Sequence, residues 1–515
     1  MKRLLLTVLV TGLGFATAAA ARGSAPPNIV IILADDLGYG DVHCYNAQSK
    51  IPTPNLDRLA VEGMRFTDAH APDSVCTPSR YGLLTGRYAF RARNKGAVLP
   101  PWGRTLIEDG RLTLPALLRQ QGYATACIGK WHLGWDWPTK DGHPPSSTNG
   151  LGNVDFAQPI ANGPTTRGFD YYFGTDVPNY PPYCFIENDR TVGVPSLAAR
   201  LEKGGINRPG PMLPGWNLTN IMPELTRRAV RYVEEATQTQ KPFFLYFALT
   251  APHYPVVPTA EFKDRSQAGD YGDFVAQVDG TVGEVLAALA RTGLATNTLV
   301  IFTSDNGPEC VEVDPGAYDR IRRYGHWSMD GLRGVKRDTW EGGHRVPFLA
   351  RWPGHIPPGA ASAETICHVD LLATCAALIS AKLPANAGVD SCNILPALLG
   401  KKPNRLIREG TVLHGGNGRF AIRQGEWVLI DAPSGDGNGG RNRPGEPDWF
   451  EQERGYTKNQ FPGELYNLLD DLAERRNLYG EKPEAVRRLK ALLEKYKAAG
   501  RSTPGPPMKR TPALE

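Results

Sequence analysis

Long apolar runs are scarce in this 515-residue chain: after the first two dozen residues no segment approaches the ~20 consecutive apolar positions that a membrane-spanning helix needs. Cysteine is sparse too. The eight cysteines fall at irregular spacings with no C-x-x-C pair, so they suggest neither a zinc site nor a dense disulfide scaffold. A dominant charge of one sign is also missing: the formal net charge of +5 is too small a bias to imply nucleic acid or an acidic lipid surface as a partner. Internal repeats are absent, and the one Gly-rich stretch, PSGDGNGGRNRPGEP from Pro433 to Pro447, reads as a surface loop. What is there is a globular composition with 22% charged and 41% hydrophobic residues, and enough Gly and Pro to imply many loops. The length suggests two to three domains, or one large α/β domain with a smaller companion.

The opening MKRLLLTVLVTGLGFATAAAARG has Lys2 and Arg3, then an apolar run, then a small-residue patch, the layout of a secretory leader over residues 1–21 cleaved near Ala21. The expectation is an exported chain, periplasmic or secreted, without stable membrane insertion. Losing Lys2 and Arg3 takes the net charge from +5 to +3.

Four apolar runs are continuous rather than alternating, as strands buried on both faces are: Asn28 to Asp36, Ala124 to His132, Lys241 to His253 and Asn297 to Gly307. Each ends in polar residues. In an open α/β sheet the ligand crevice lies beyond the carboxyl ends of such strands, so Asp35, Asp36, Lys130, His132, His253, Asp305 and Asn306 are expected to converge. Helical patterns lie between the runs, at Pro54 to Gly63, Thr113 to Gly122 and Phe274 to Gly293. The fold class is therefore α/β with a mostly parallel, doubly wound sheet. From Trp135 to about Pro223 the texture turns to Pro, Gly, Asn and aromatics, a long irregular insertion. After roughly Asp390 a smaller unit follows: a hairpin from Phe420 to Ile430, a strand from Gly463 to Leu468 and a closing helix from Pro483 to Gly500.

Each chemical group has a plainer reading when taken singly: Asp35-Asp36 as a turn cap, either histidine as a hydrogen-bonded structural residue, Lys336 as a solvated charge. Taken together they differ. Three carboxylates and an amide oxygen are hard ligands suited to Ca²⁺ or Mg²⁺, and burying three carboxylates without a cation would be repulsive. A cation ringed by Arg80, Lys130, His132, His253 and Lys336 describes a pocket for a tetrahedral oxyanion.

Cys76 stands just ahead of a helix start in VCTPSRYGLLTG, with Pro78 and Arg80 in the first turn. In chain order the sequence carries ADDLGYGD, C-x-P-x-R followed by L-T-G, GKWHLG from Gly129 to Gly134, APH, SDNG and the G-x-K…EGG-x-R-V-P pattern from Gly334 to Pro347. On these motifs the chain resembles a formylglycine-dependent sulfatase of the arylsulfatase type, within the alkaline phosphatase superfamily and similar to exported bacterial carbohydrate sulfatases. The resemblance runs from Asn28 to the closing helix. It implies a large, mostly parallel mixed sheet sandwiched by helices, with a catalytic domain over residues 26–390, a C-terminal α+β subdomain over 391–500 and a flexible tail over 501–515.

The resemblance further implies that a formylglycine-generating maturation enzyme oxidises Cys76 to Cα-formylglycine before folding. Hydrated to a geminal diol, that residue would attack sulfur to give a covalent sulfo-enzyme, and its second hydroxyl would release sulfate by elimination. By the same carry-over Asp35, Asp36, Asp305 and Asn306, with residue 76, hold Ca²⁺ or Mg²⁺. Arg80 steadies the diol, Lys130 and Lys336 hold sulfate oxygens, and His253 and His132 act as acid and base in either order.

One departure stands out. Where arylsulfatases often place a small polar group after the GF…FG stretch, this chain has Asp176 and Asn179. The insertion's Trp135, Trp137, Tyr180 and Tyr183, with Asn179, Glu187, Asp189 and Arg190, offer ring faces and hydrogen-bonding groups for a sugar. His344, inside the last motif, joins this substrate-binding set. The expected substrate is a sulfated saccharide, with 4-O-sulfated galactose or N-acetylgalactosamine favoured. Two rivals remain: a phosphonate or phosphodiester hydrolase with the same nucleophile and metal, and a catalytically silent sugar-binding relative.

Overall fold

The computed structural model describes residues 26–147, 150–402, 406–440 and 443–508; the secretory leader expected over residues 1–21 lies outside the described residues. Ten strands form the main sheet: β1 (Asn28–Ala34), β2 (Met64–Phe66), β3 (Ala124–Lys130), β4 (Tyr171–Thr175), β5 (Ile186–Glu187), β6 (Arg190–Thr191), β7 (Phe243–Ala248), β8 (Thr298–Ser304), β9 (Phe348–Arg351) and β10 (Ala360–Ser362). Across the sheet the order is β10-β2-β9-β8-β1-β7-β3-β4-β5-β6. The four apolar runs are thus the adjacent central strands β8, β1, β7 and β3, all parallel. The sequence reading missed β4, a fifth parallel strand, because its five residues lie inside the Pro- and Gly-rich insertion with no long apolar run to mark them. Antiparallel pairs flank this parallel centre on both sides, which makes the sheet mixed.

The continuous hydrophobicity of the central strands follows from two cores. Ile29, Ile31 and Leu33 of β1 join one core, and Val30, Ile32 and Ala34 join the other. Helices α1 (Pro54–Glu62), α2 (Cys76–Thr85), α3 (Leu114–Gln120), α4 (Ile221–Ala236), α5 (Gly269–Arg291), α6 (Leu371–Leu378) and α7 (Pro483–Ala499) cover these faces and close the chain. Residues of α2, α3 and α6 pack in the first core, and residues of α1, α4 and α5 in the second. Among the described residues no helix is long and apolar enough to cross a membrane. All eight cysteines are free thiols.

The C-terminal unit is a four-stranded antiparallel sheet of β11 (Thr411–His414), β12 (Phe420–Gln424), β13 (Trp427–Ile430) and β14 (Glu464–Asn467), in that order. Leu489 and Leu493 of α7 pack on Val412, Ile422, Leu429 and Leu465, and Tyr88, Cys367 and Val369 of the preceding chain enter the same cluster. Residues 501–508, read from sequence as part of a flexible tail, turn back onto the body: Thr503 Oγ1 donates to the Val389 carbonyl at 2.8 Å, and the Met508 N–H donates to Ala499 at 2.9 Å.

Helix α1 is capped from a distance. Its N-cap, Thr53, makes no side-chain cap bond; instead Asp279 of α5 accepts from the Asn55 N–H at 2.9 Å and the Leu56 N–H at 2.8 Å. A buried carboxylate therefore satisfies the helix N-terminus and ties α1 to α5. Replacing Asp279 with Ala should destabilise the protein by about 2 kcal/mol, since two buried N–H groups lose their acceptor. A melting temperature within experimental error of wild type would refute that account.

Candidate active site

Strand register sets the site. Leu33 pairs with Thr303 and with Ala248, and Ala248 pairs with Gly129, so Asp35-Asp36 after β1, Asp305-Asn306 after β8 and Lys130 at the end of β3 emerge at one level. Gly129 is required there. Its φ is +116°, and a Cβ would stand 1.7 Å from the Ala248 carbonyl oxygen. Helix α2 begins at Cys76 itself, so the cysteine is the first helical residue rather than the one before it, and Arg80 follows one turn on.

Three buried carboxylates each face a buried cation. Arg80 Nη2 lies 2.7 Å from Asp305 Oδ2 and 3.4 Å from Asp35 Oδ1. Lys130 Nζ is 2.7 Å from Asp35 Oδ2, and Lys336 Nζ is 2.7 Å from Asp36 Oδ2. Burial pushes Asp305 up to about 6, with Asp35 adding to the effect. Burial also works to raise Asp36, but Lys336 and His253 outweigh it and hold that carboxyl below its usual range. Behind Lys336, Arg337 forms two 2.7 Å contacts to Glu309, whose Oε2 also lies 3.3 Å from Lys336 Nζ.

The oxygens are arranged for a cation. Ligand atoms of Asp35, Asp36, Cys76 and His253 all lie within 4.8 Å of one another. Asn306 Nδ2 donates to Asp36 Oδ1 at 2.7 Å and to the Gly307 carbonyl, which leaves its buried Oδ1 without a partner. Asp305 Oδ1 accepts from the Asp36 N–H at 3.2 Å, which brings the second strand end against the first. A buried amide oxygen with nothing to accept, beside carboxylates, fits a divalent cation of the oxygen-preferring kind. His253, read from sequence as a proton donor, lies within this group of donors.

Both histidines present an unprotonated ring nitrogen. His132 Nε2 donates to the Leu99 carbonyl at 3.1 Å, which leaves Nδ1 unpartnered. His253 Nδ1 donates to the Tyr254 carbonyl at 2.6 Å, and its Nε2 stands 3.8 Å from Asp36 Oδ2. Burial and the nearby Lys130 push His253 down to about 4, and the same two causes hold His132 well below the ordinary imidazole range. His132 has a left-handed backbone, φ 51°, and its N–H is held by Asp176 Oδ1 at 3.2 Å, which also accepts from Trp135 Nε1. Asp176, the departure noted in the sequence, thus anchors His132 from behind.

These groups line a cavity of about 330 Å³ whose floor carries Cys76, His132, His253 and Lys336 and whose walls carry Asn179 and Tyr180. Lys130 lies behind the floor, fully buried. Arg208, Glu312 and Arg443 at the mouth were not foreseen; they come from loops with no pattern to mark them. The Arg208 guanidinium stacks on Tyr180 at 4.3 Å, a cation–π contact.

Much of the expected sugar-binding set lies elsewhere. Strand β5 runs antiparallel to β4 and carries Glu187, Asp189 and Arg190 back toward the start of β4, away from the carboxyl ends. Glu187 there accepts from Tyr171 at 2.7 Å and pairs with Arg228, while Arg190 donates to the Ala157 carbonyl. His344 is fully buried against His70 and does not line the cavity. Trp135, Trp137 and Tyr183 are buried in the packing of the insertion, so of the four aromatics Tyr180 alone lines the cavity. Asn179 lines it too, and its buried Oδ1 has no partner.

Residues 27–381 match the family model described as Sulfatase. The chain is 35% identical to an N-acetylgalactosamine-6-O-sulfatase of Bacteroides thetaiotaomicron, an alignment covering 92% of this chain and 94% of that protein. It is also 35% identical to human arylsulfatase A, over 95% of this chain and 90% of that one. A solved structure from work on glycosaminoglycan metabolism by Bacteroides thetaiotaomicron superposes with a TM-score of 0.76 at 32% identity, covering 92% of this chain and all of that one.

Binding of a divalent cation should be measurable without any reaction. At a hundredfold excess over Kd, Ca²⁺ or Mg²⁺ should stabilise the stripped protein by about 2.7 kcal/mol in a thermal-shift titration. Asn306→Ala, which removes the free amide oxygen, should weaken this at least about tenfold. No shift with either ion in the wild type would rule the cage out.

Proposed function

The chain belongs to the sulfatase family and is a sulfuric ester hydrolase acting on sulfated glycans; from that premise we propose that it removes the 6-O-sulfate of N-acetylgalactosamine. The sequence alone favoured the 4-O position. The O6 reading is supported by the relative whose name carries it, which aligns over nearly the whole of both chains. The observation that carries the reading is a small cavity with Cys76, Lys336 and two neutral histidines on its floor, beside an oxygen cage that fits a dication.

In this reading Asp35, Asp36, Asp305 and Asn306 hold Ca²⁺ or Mg²⁺ beside residue 76. Bound there, the ion would neutralise developing charge and polarise an oxygen; Cys76 converted to hydrated formylglycine would supply the attacking hydroxyl and a second one for sulfate release. The thiol is buried, so a maturation enzyme must reach it before the chain folds. Lys336, on the floor, offers its remaining N–H bonds to a sulfate oxygen. Lys130, whose ammonium contacts both Asp35 oxygens, acts mainly by its charge from behind. His132 Nδ1 and His253 Nε2 carry free lone pairs, so one can take the proton of the attacking hydroxyl and pass it to the departing sugar oxygen, and the other can take the proton of the second hydroxyl as sulfate leaves. Arg80 bridges Asp35 and Asp305 and keeps the two strand ends in contact. At the wall, Asn179 Oδ1 and the Tyr180 ring face the sugar. Export to the periplasm or beyond completes the proposal.

Cys76→Ala should lower sulfate release at least about a thousandfold while leaving the melting temperature close to wild type, because only the end of one small side chain leaves a closed site. Undiminished hydrolysis would end the assignment of residue 76. On a panel of sulfated monosaccharides and chondroitin fragments, release should be fastest from 6-O-sulfated N-acetylgalactosamine. Preference for the 4-O isomer, or for phosphate esters, would reject the substrate proposed.

A further inference from the structure

We propose that His70, His344 and Glu341 form a second metal site, separate from the oxygen cage and suited to zinc. The evidence begins with proton placement. His70 Nε2 lies 2.9 Å from Asp68 Oδ1, and His344 Nε2 lies 3.1 Å from the Thr339 carbonyl oxygen. The Thr339 carbonyl can only accept, so His344 Nε2 carries the proton; at His70 Nε2 the Asp68 carboxylate is the nearer neighbour and places the proton there, although Arg423 Nη1, a donor, also lies 3.2 Å away. The two Nδ1 atoms are then left with bare lone pairs, and they face one another at 3.0 Å. Two facing ring nitrogens in a fully buried place need a proton or a metal ion between them.

A third donor is aimed at the same point. Glu341 Oε2 contacts Arg345 at 2.9 Å, but Oε1 is buried without a partner, and its carboxylate falls within 4.8 Å of both ring nitrogens. Glu341 and His344 stand three residues apart on one helical turn, hence on one face, and His70 comes from the short strand Ala69–His70 opposite. Two imidazoles and one carboxylate are a donor set zinc accepts. With Zn–N bonds of 2.0–2.1 Å a tetrahedral ion holds its nitrogens about 3.3 Å apart, close to the spacing here. The surroundings match as well: each ligating ring donates its other N–H to an acceptor, and Arg423 and Arg345 neutralise Asp68. The arginines leave Glu341 Oε1 as the free negative oxygen. Such a site would pin the turn after Lys336 to the strand that leads to Cys76, reinforcing the bonds from Ala71 N–H to His344 and from Val346 N–H to Ala69.

Elemental analysis of the full-length protein, produced with zinc in the medium and dialysed into calcium buffer, tests this. About one equivalent of zinc is expected in the wild type and in Asn306→Ala, whose lesion lies in the oxygen cage, and it should be lost in His344→Leu and His70→Phe. Cobalt incorporated during production should give the intense visible bands of four-coordinate, nitrogen-ligated Co²⁺ in the wild type, which decides the question should the histidine variants fail to fold. Wild-type protein without stoichiometric zinc and without those bands would overturn the proposal, leaving a proton shared between the rings. Zinc retained undiminished in a folded His344→Leu protein would overturn it equally.

Discussion

Asp35, Asp36 and Asp305 could not share one end of a sheet as bare charges. Each is buried and each meets a cation from a different part of the chain: Lys130 from β3, Lys336 from the loop before the EGGH turn, Arg80 from α2. Breaking any one pair would strand a buried charge at a cost of several kcal/mol. The positions of β1, β3, β8, α2 and that loop are therefore mutually constrained. The three pairs balance in charge before any ion arrives, so the fold does not need the ion to exist. A dication added to this neutral set leaves an excess of +2, a local field that draws in an anionic ester and favours charge gathering on its oxygens.

The same constraint explains features that look unrelated. Lys130 can reach Asp35 because Gly129, the residue before it in β3, is pressed against the Ala248 carbonyl, and Gly174 on β4 presses in turn on Gly129, where a Cβ would stand 1.8 Å from its carbonyl oxygen. The chain must then turn sharply to present His132, and it does so through a left-handed residue whose N–H is held by Asp176. A carboxylate at position 176 is thus explained by the backbone it restrains rather than by a ligand it touches.

The sequence reading located the central strands and the charged cluster because both leave local marks. Strands buried on two faces are continuous apolar runs, and strand ends in a parallel sheet share one crevice. Direction was not legible. Glu187, Asp189 and Arg190 have the right chemistry for a sugar, but a two-residue strand running antiparallel to its neighbour carries them to the other end of the sheet, and nothing in their spacing records that reversal. Nor was burial legible within the insertion. Trp135 and Trp137 pack against one another and against Tyr172 and Trp102, the usual fate of large rings where a long loop must make its own core. Arg208 reached the cavity mouth by stacking on Tyr180, a partner 28 residues away in sequence that no motif links to it.

The environment of Cys76 bears on why a cysteine is encoded there. A helix N-terminus and two nearby ammonium groups ordinarily favour a thiolate. Here burial dominates, and although Lys130 and Lys336 pull down, Asp305 and Asp35 push up, so the thiol is raised to about 12. Burial thus works against a thiolate nucleophile at this position. Sulfur is also the wrong partner for the cage, whose carboxylate and amide oxygens select hard cations that bind thiolate weakly. A hydrated aldehyde resolves both difficulties: it offers oxygen instead of sulfur, it is neutral when buried, and it carries a hydroxyl to spare. The physical setting of residue 76 thus disfavours the amino acid that the gene specifies and favours its oxidised product.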